Sequence, residues 1–173
     1  MKQIISLFFI LFLGTGYAQD VQTTEFFMQY SKRKVHYAKL MQSNEEIGKI
    51  KTIIQEKEIT NRLNNTAADS NNTIILTVEE KEYLKNELDK LALPESYNFL
   101  DNIPKYKLVK NFDSKTTKPV EWFSKPIFIR NNTLCLIYKA TYCGPLSGMG
   151  GWEFYRLVNE KWENWISLTM WFS

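Results

Sequence analysis

The chain has 173 residues, of which 22 are Lys or Arg and 19 are Asp or Glu, so its net charge is only +3. A charge so close to balance, without a dense block of Lys and Arg, argues against a nucleic-acid-binding protein. One histidine and two cysteines leave little material for a metal site or a catalytic triad, so we expect no metal and no cofactor.

Residues 1–18 have the features of a leader for export. Lys2 precedes an apolar run from Ile4 to Leu13, and Gly16-Tyr17-Ala18 matches a cleavage site. A membrane anchor is the alternative, but an apolar run of about ten residues is half of the roughly 20 that a spanning helix needs. We therefore predict a signal peptide over 1–18. The mature domain over 19–173 is then exported, periplasmic or secreted, and has no membrane span.

The first half of the mature chain, over 24–92, shows the periodicity of helices. Apolar residues at helical spacing predict one helix over 24–42 and a second over 45–63. A third helix is predicted over 78–92, because Thr77 and Glu80 have the spacing of a capping box.

From 106 to 173 the apolar residues alternate with a period of two, which is typical of strands. A short strand is predicted at 106–109, and four longer strands are predicted at 120–130, 133–142, 151–158 and 162–172. Short connections such as Asn131-Asn132 make neighbouring strands antiparallel. The expected fold is one α+β domain, in which N-terminal helices pack on a curved antiparallel sheet with a C-terminal four-strand meander.

The residues between Cys135 and Cys143 belong to one predicted strand, which places the two Cα atoms about 26 Å apart, far beyond the roughly 7 Å limit for a disulfide. We predict no bond between them. Cys135 is expected in the core and Cys143 in a loop.

Three aromatic residues, Tyr155, Trp165 and Trp171, are the best candidates for ligand binding. Strict alternation along the last strand places Trp165 and Trp171 on one face, and Trp162 and Ile166 on the other. Exposed rings on a sheet offer a stacking surface for a sugar or a partner peptide. The structural alternative is that the helices cover this face and the aromatics fill its margins.

Gly144, Gly148 and Gly150 belong to a glycine-rich stretch after the second of the four strands. Such a stretch could form a backbone nest for an anion. No helix follows it, and its spacing matches no phosphate-binding motif, which favours a shaped connection between two strands.

Glu121 and Glu153 are predicted on the same sheet face as the aromatics, near Lys139. Paired carboxylates can hydrolyse glycosidic bonds, whereas the structural alternative is ordinary surface charge. His36, the single histidine, is predicted at the boundary of a helix face rather than in a catalytic dyad.

Four segments carry a resemblance to a known group: Phe123–Phe128, the loop that begins at Cys143-Gly144, Lys161-Trp162, and Trp171-Phe172-Ser173. Their pattern, FSxPIF, CGxLxGxGG, KW and WxS, resembles small exported proteins of Bacteroidota of unassigned function. The resemblance implies export and a shared fold, and it implies no activity. Where those proteins carry a second loop cysteine, this chain has Ser147, so the corresponding loop disulfide cannot form.

The sequence thus favours an exported, non-catalytic binding or interaction domain, whose partner is an unknown protein or glycan of the cell envelope. One alternative is a small hydrolase of envelope polymers that uses carboxylates. Another is a structural or inhibitory partner of a second exported protein.

Overall fold

The computed structural model of the chain describes residues 20–31, 34–38, 43–62, 73–92, 99–109, 119–144 and 147–172, and the predicted signal peptide lies outside them. The helices are α1 (20–30), α2 (Asn44–Ile54) and α3 (Val78–Lys90). The strands are β1 (Val35–Tyr37), β2 (Ile59–Thr60), β3 (Thr73–Ile74), β4 (Tyr106–Leu108), β5 (Val120–Phe123), β6 (Ile127–Ile129), β7 (Leu134–Tyr142), β8 (Gly148–Val158), β9 (Lys161–Ser167) and β10 (Trp171–Phe172). The predicted α+β class is confirmed.

The described strands form one large sheet and a separate small hairpin. The order in the large sheet is β10-β8-β7-β5-β1-β4, with β6 on β7 beside β5, and β9 on β8 beside β10. In the C-terminal part of the sheet, β5 and β6 pair antiparallel with β7, β7 with β8, and β8 with β9 and β10. Breaks at 124–126 and 168–170 separate β5 from β6 and β9 from β10.

Strand β1 corrects the prediction of one helix over 24–42. The helix α1 ends at residue 30, and β1 joins the sheet between β4 and β5 in parallel with both. Val35 and Tyr37 are buried while His36 between them is partly exposed, which is the alternation of a strand. The sheet is consequently mixed rather than wholly antiparallel.

The second predicted helix, over 45–63, is too long. α2 ends at Ile54, and Ile59–Thr60 forms the strand β2, which pairs with Thr73–Ile74 in the small hairpin. The β-branched side chains at 59 and 60 suit a strand better than a helix. The strand predicted at 106–109 is present as β4.

The predicted third helix and its capping box are confirmed. The Thr77 hydroxyl accepts from the Glu80 N–H at 3.2 Å, and the Glu80 carboxylate accepts from the Thr77 N–H at 3.0 Å. These reciprocal bonds satisfy two backbone donors that the first turn of a helix leaves free.

Each face of the sheet has its own hydrophobic core. The first core lies between the sheet, α2, α3 and the small hairpin; it includes Ile50, Leu84, Leu88, Tyr138, Trp152, Phe154 and Ile166. The second core lies between the opposite face, α1 and the segment 99–106; it includes Phe26, Phe27, Tyr37, Phe123, Cys135, Ile137 and Tyr155. The helices therefore cover both faces.

A β-bulge in β9 separates two residues that strict alternation places on one side. Tyr155 pairs with Asn164, but the preceding Phe154 pairs with Ile166, so Trp165 is the extra residue. Because the bulge shifts the alternation, Trp162 packs on the second core whereas Ile166 belongs to the first.

The hairpin turns that join β6 to β7 and β8 to β9 use backbone conformations that are uncommon outside glycine. Arg130, Asn131 and Asn132 have positive φ between β6 and β7, as do Asn159 and Glu160 between β8 and β9. Asparagine tolerates this region best, which accounts for its presence in both turns. In the part of the chain that the structure describes, no helix has the length and apolarity needed to cross a membrane.

Candidate functional site

Tyr155, one of the three predicted binding aromatics, is buried beneath α1. Its ring contacts Phe26 edge-to-face at 5.3 Å between centroids and lies 6.2 Å from Tyr30. Burial, followed by the charge of Glu153, raises the pKa of Tyr155 above its ordinary value, so the phenol stays protonated. Tyr155 therefore has a packing role in the second core.

Trp165 and Trp171 lie on the other face of the sheet. Trp165, the bulge residue, packs at the margin of the first core, and the Arg156 guanidinium stands 5.2 Å from its ring centroid. Trp171 is 39% exposed, and its indole N–H donates to the Tyr138 hydroxyl at 2.9 Å. Trp171 pairs with Gly150 near the start of β8, whereas Trp165 lies beside Phe154 and Tyr155 in its middle, and Tyr155 faces the second core, so the three predicted aromatics do not form one surface.

The exposed aromatic surface is instead at the edge of the sheet. Phe172 is 71% exposed and pairs with Met149, which is 46% exposed, on the face opposite to Trp171. We call Met149, Trp171 and Phe172 the aromatic edge. The sequence analysis did not identify Met149 and Phe172. The signal that could have found them is that Phe172 is an apolar residue at the end of a predicted strand, and that Met149 lies within the glycine-rich stretch.

The segment before β10 is held firmly on the sheet. The Leu168 N–H donates to the Trp152 carbonyl at 2.8 Å, and the Trp152 N–H donates to the Thr169 hydroxyl at 3.0 Å. Together with the Trp171–Tyr138 bond, these contacts fix the position of the aromatic edge before any partner arrives.

The glycines of the predicted loop serve the shape of the backbone. Gly144 has φ of 138°, and the Ser147 N–H donates to the Gly144 carbonyl at 3.1 Å. Gly148 and Gly150 lie within β8 rather than in a loop, and a Cβ at Gly150 would stand 2.5 Å from the Cβ of Ala140. A nest for an anion would need a row of free N–H groups, which a paired strand does not offer.

A charged network lies under the edge of α1 on the second-core face. Glu153 is almost fully buried and accepts from the Lys139 ammonium at 2.9 Å and from the Asn164 amide at 2.6 Å. Lys139 also donates to the Tyr155 hydroxyl at 3.2 Å. The network pairs each buried charge, which is the condition under which charges persist inside a protein.

Glu121, the other predicted catalytic carboxylate, is also buried but lies apart from Glu153. Glu121 pairs with Thr141 on β7, while Glu153 pairs with Ile137. The two residues are thus two strands and four positions apart, about 16 Å between Cα atoms. Glycosidases place their two carboxyl groups roughly 5–10 Å apart. The Glu153 carboxylate is already bound by Lys139 and Asn164, which gives this chemistry little support.

The remaining reactive side chains do not assemble into a site. Both cysteines are free, with Cys135 buried and Cys143 exposed, as expected from their positions. Burial raises the pKa of the Cys135 thiol, which makes it unreactive. Among the described residues, no cluster of three or more His, Cys, Asp or Glu could hold a metal ion.

Comparison of the chain with models of protein families, with curated proteins and with solved structures finds no significant match.

Proposed function

We propose that this protein is an exported, non-catalytic interaction domain that binds a protein partner through the aromatic edge. The observation that carries the proposal is the exposure of Trp171 and Phe172 on opposite sides of one edge strand. A partner strand that approaches in the plane of the sheet meets both side chains while its backbone pairs with β10.

The chemistry of the edge favours a protein over a glycan. Tryptophan, phenylalanine and methionine are enriched in protein interfaces, whose centres are depleted of charge. The side chains from Asn164 to Ser173 carry no charge. A sugar site also needs several polar groups around the stacking ring, but the indole N–H of Trp171 is already bonded to Tyr138.

Export and the curvature of the sheet belong to the same proposal. The basic start, short apolar run and small-residue site within 1–18 support export to the periplasm or out of the cell. The strand breaks at 124–126 and 168–170, with the bulge at Trp165, support a curved sheet.

The two alternative functions differ in support. A carboxylate hydrolase has little, because Lys139 and Asn164 hold Glu153, and Glu121 is remote from it. A structural or inhibitory partner of another exported protein would use the same kind of contact as the proposed interaction. This second alternative is therefore a special case of the proposed function.

Site-specific photo-crosslinking in the producing cells tests the proposal. A photoreactive phenylalanine analogue in place of Phe172 should give a crosslinked adduct with another polypeptide, because that ring lies where the partner strand binds. Mass spectrometry of the uncrosslinked product should show a chain that begins at Gln19. The matched control is the same analogue in place of Val78, which is 78% exposed on α3, away from β10.

Equal adduct yields from positions 172 and 78 would rule out the aromatic edge as the binding surface. A product that retains residues 1–18 would rule out export by cleavage. In the expected case, Trp171→Ala should reduce the adduct formed from position 172 several-fold, since buried aromatic anchors dominate such interfaces.

A further inference from the structure

Arg156 differs from the other arginines that the structure describes, because it forms no ion pair. Arg62 pairs with Glu56, and Arg130 pairs with Glu80. Among the described residues, no carboxylate pairs with Arg156. The Nε atom of Arg156 is buried and lacks a hydrogen-bond acceptor, which is a destabilising arrangement that requires an explanation. An unpaired charge and an N–H group without an acceptor therefore occur in one side chain.

The Trp165 ring holds the Arg156 guanidinium in place. Trp165 is the extra residue of the β-bulge in β9, and its ring packs at the margin of the first core. The guanidinium carbon lies 5.2 Å from the centre of this ring, a distance at which cation and ring attract each other. Both side chains are partly exposed, so a ligand can reach the pair from solvent. A rotation of the outer part of the Arg156 side chain, which is a fast motion for exposed groups, brings the covered Nε–H to such a ligand.

The charges next to Arg156 cancel one another. Glu163 is its cross-strand partner on β9, and Lys161, two positions from Glu163, lies opposite Val158. Glu163 and Lys161 are both exposed. Arg156 therefore leaves one net positive charge on this part of the surface, which suits an anion with a single negative charge better than a dianion such as phosphate.

We infer that Arg156 and Trp165 form a binding site for a carboxylate group, which we call the carboxylate site. A carboxylate is planar, carries one negative charge, and can accept hydrogen bonds from Nε and a terminal nitrogen of one guanidinium at the same time. This contact gives the Arg156 Nε–H the acceptor that it lacks within the chain. The carboxylate belongs either to an acidic side chain of a polypeptide or to a small organic acid.

The carboxylate site is separate from the aromatic edge. Arg156 is six residues from Gly150, which pairs with Trp171, so the two surfaces are roughly 20 Å apart along β8. The inference therefore goes beyond the proposed function and does not depend on it.

Nuclear magnetic resonance of the isotope-labelled protein tests the carboxylate site. Sodium acetate replaces sodium chloride at constant ionic strength, and a parallel titration uses sodium phosphate. The Arg156 Nε–H signal should shift and reach saturation with acetate, because the carboxylate becomes its acceptor. The Arg130 Nε–H group already donates to Glu80 at 2.8 Å, so its signal should not shift and serves as the internal control.

Two arginine variants separate the shape of the guanidinium from its charge. Arg156→Lys keeps the positive charge but loses the planar fork, so it should weaken acetate binding at least about tenfold, as followed by the Trp165 indole N–H signal. Arg62→Lys makes the same change at an arginine that has a carboxylate partner, and it should leave acetate binding unchanged. A circular dichroism melt of each variant shows that it is folded.

Capped Ala-Glu-Ala and Ala-Gln-Ala peptides identify the source of the carboxylate. Binding of the Glu peptide about tenfold tighter than acetate, without binding of the Gln peptide, supports a polypeptide, and equal affinity for the Glu peptide and acetate supports a small organic acid. The site is overturned if the Arg156 signal does not saturate, if the Arg130 signal shifts equally, or if Arg156→Lys binds acetate as wild type does. Tighter binding of phosphate than of acetate overturns the carboxylate assignment. Loss of the crosslink at position 172 would refute the aromatic edge and leave the carboxylate site intact.

Discussion

Two consecutive glycines, Gly150 and Gly151, let neighbouring backbone segments approach β8 closely. A Cβ at Gly150 would overlap Ala140 of β7, and a Cβ at Gly151 would stand 1.8 Å from the Thr169 carbonyl oxygen. The absence of a side chain at Gly151 lets the segment 168–170 lie against β8, and this segment leads into β10. Gly151 therefore affects the aromatic edge through the position of the backbone.

Replacement of glycine by alanine should have opposite effects at two sites. Gly151→Ala should lower the free energy of unfolding by about 2 kcal/mol or more, because the new methyl group overlaps the Thr169 backbone. Gly48→Ala should raise it by about 1 kcal/mol, since Gly48 lies within α2 and no atom stands within 4 Å of the new Cβ. Chemical denaturation measures both. A Gly151→Ala protein as stable as wild type would show that the close approach is absent.

At the scale of elements, Arg130 joins the β6–β7 turn to the start of α3. Its guanidinium contacts both carboxylate oxygens of Glu80, at 2.8 and 3.1 Å, and also donates to the Ile75 carbonyl at 2.7 Å. The hydrogen bond from Arg130 is the main reason why the pKa of Glu80 lies below its ordinary value near 4.5. One carboxylate thus caps a helix and binds a hairpin turn.

The contribution of the Glu80 charge should depend on pH in a defined direction. The lowered pKa of Glu80 in the folded state means that its stabilisation is complete above the ordinary value near 4.5 and is lost as pH falls through the folded-state pKa. Glu80→Gln should therefore cost about 1 kcal/mol at pH 7 and almost nothing near pH 2. Denaturant titrations across this range measure the difference.

Glu82→Gln is the matched control for Glu80→Gln. Glu82 lies on the same helix, where the Lys85 ammonium stands 4.0 Å from its carboxylate and both side chains are well exposed. Its substitution should change the stability by less than about 0.5 kcal/mol at any pH. An equal pH dependence of the two variants would contradict the role of Arg130.

Local signals predicted some elements and long-range pairing determined others. α3 was predictable because Thr77 and Glu80 specify its start within four residues. Tyr37 fits both a helical stripe and a strand, and its partner Leu108 on β4 lies about seventy residues away, so no local window selects the strand. The bulge at Trp165 shifts the alternation, so the residues after it lie on the sheet face opposite to the predicted one. Tyr155 is buried because α1, which is distant in sequence, packs over it. Among the three predicted binding aromatics, Trp171 is exposed, at the edge of the sheet.

At the scale of the whole molecule, the sheet is shared between the two cores. Residues 134–138 at the start of β7 are all buried, because even-numbered side chains enter the first core and odd-numbered ones the second. Strands buried on both faces read as nearly continuous apolar runs. Loss of packing on either face therefore weakens the same strands.

Small core substitutions on opposite faces should act on one unfolding transition. Ile50→Val in the first core and Ile137→Val in the second should each cost about 1 kcal/mol, and the double variant about 2 kcal/mol, since the two residues belong to cores on opposite faces of the sheet. Far-UV circular dichroism and tryptophan fluorescence should give coincident curves for all three proteins. A variant that shifts only one of the two signals would show that the cores unfold separately.

The double burial of β7 has a consequence for how such a chain can diverge over time. In a strand with one face exposed to solvent, every second position accepts many different polar residues. Residues 134–138 include no solvent-exposed position. Acceptable replacements there are confined to apolar side chains of similar volume, whichever way they point. Inherited variation should therefore accumulate on the outer surfaces of the helices, which would leave distant relatives alike in the pattern of these strands and little else.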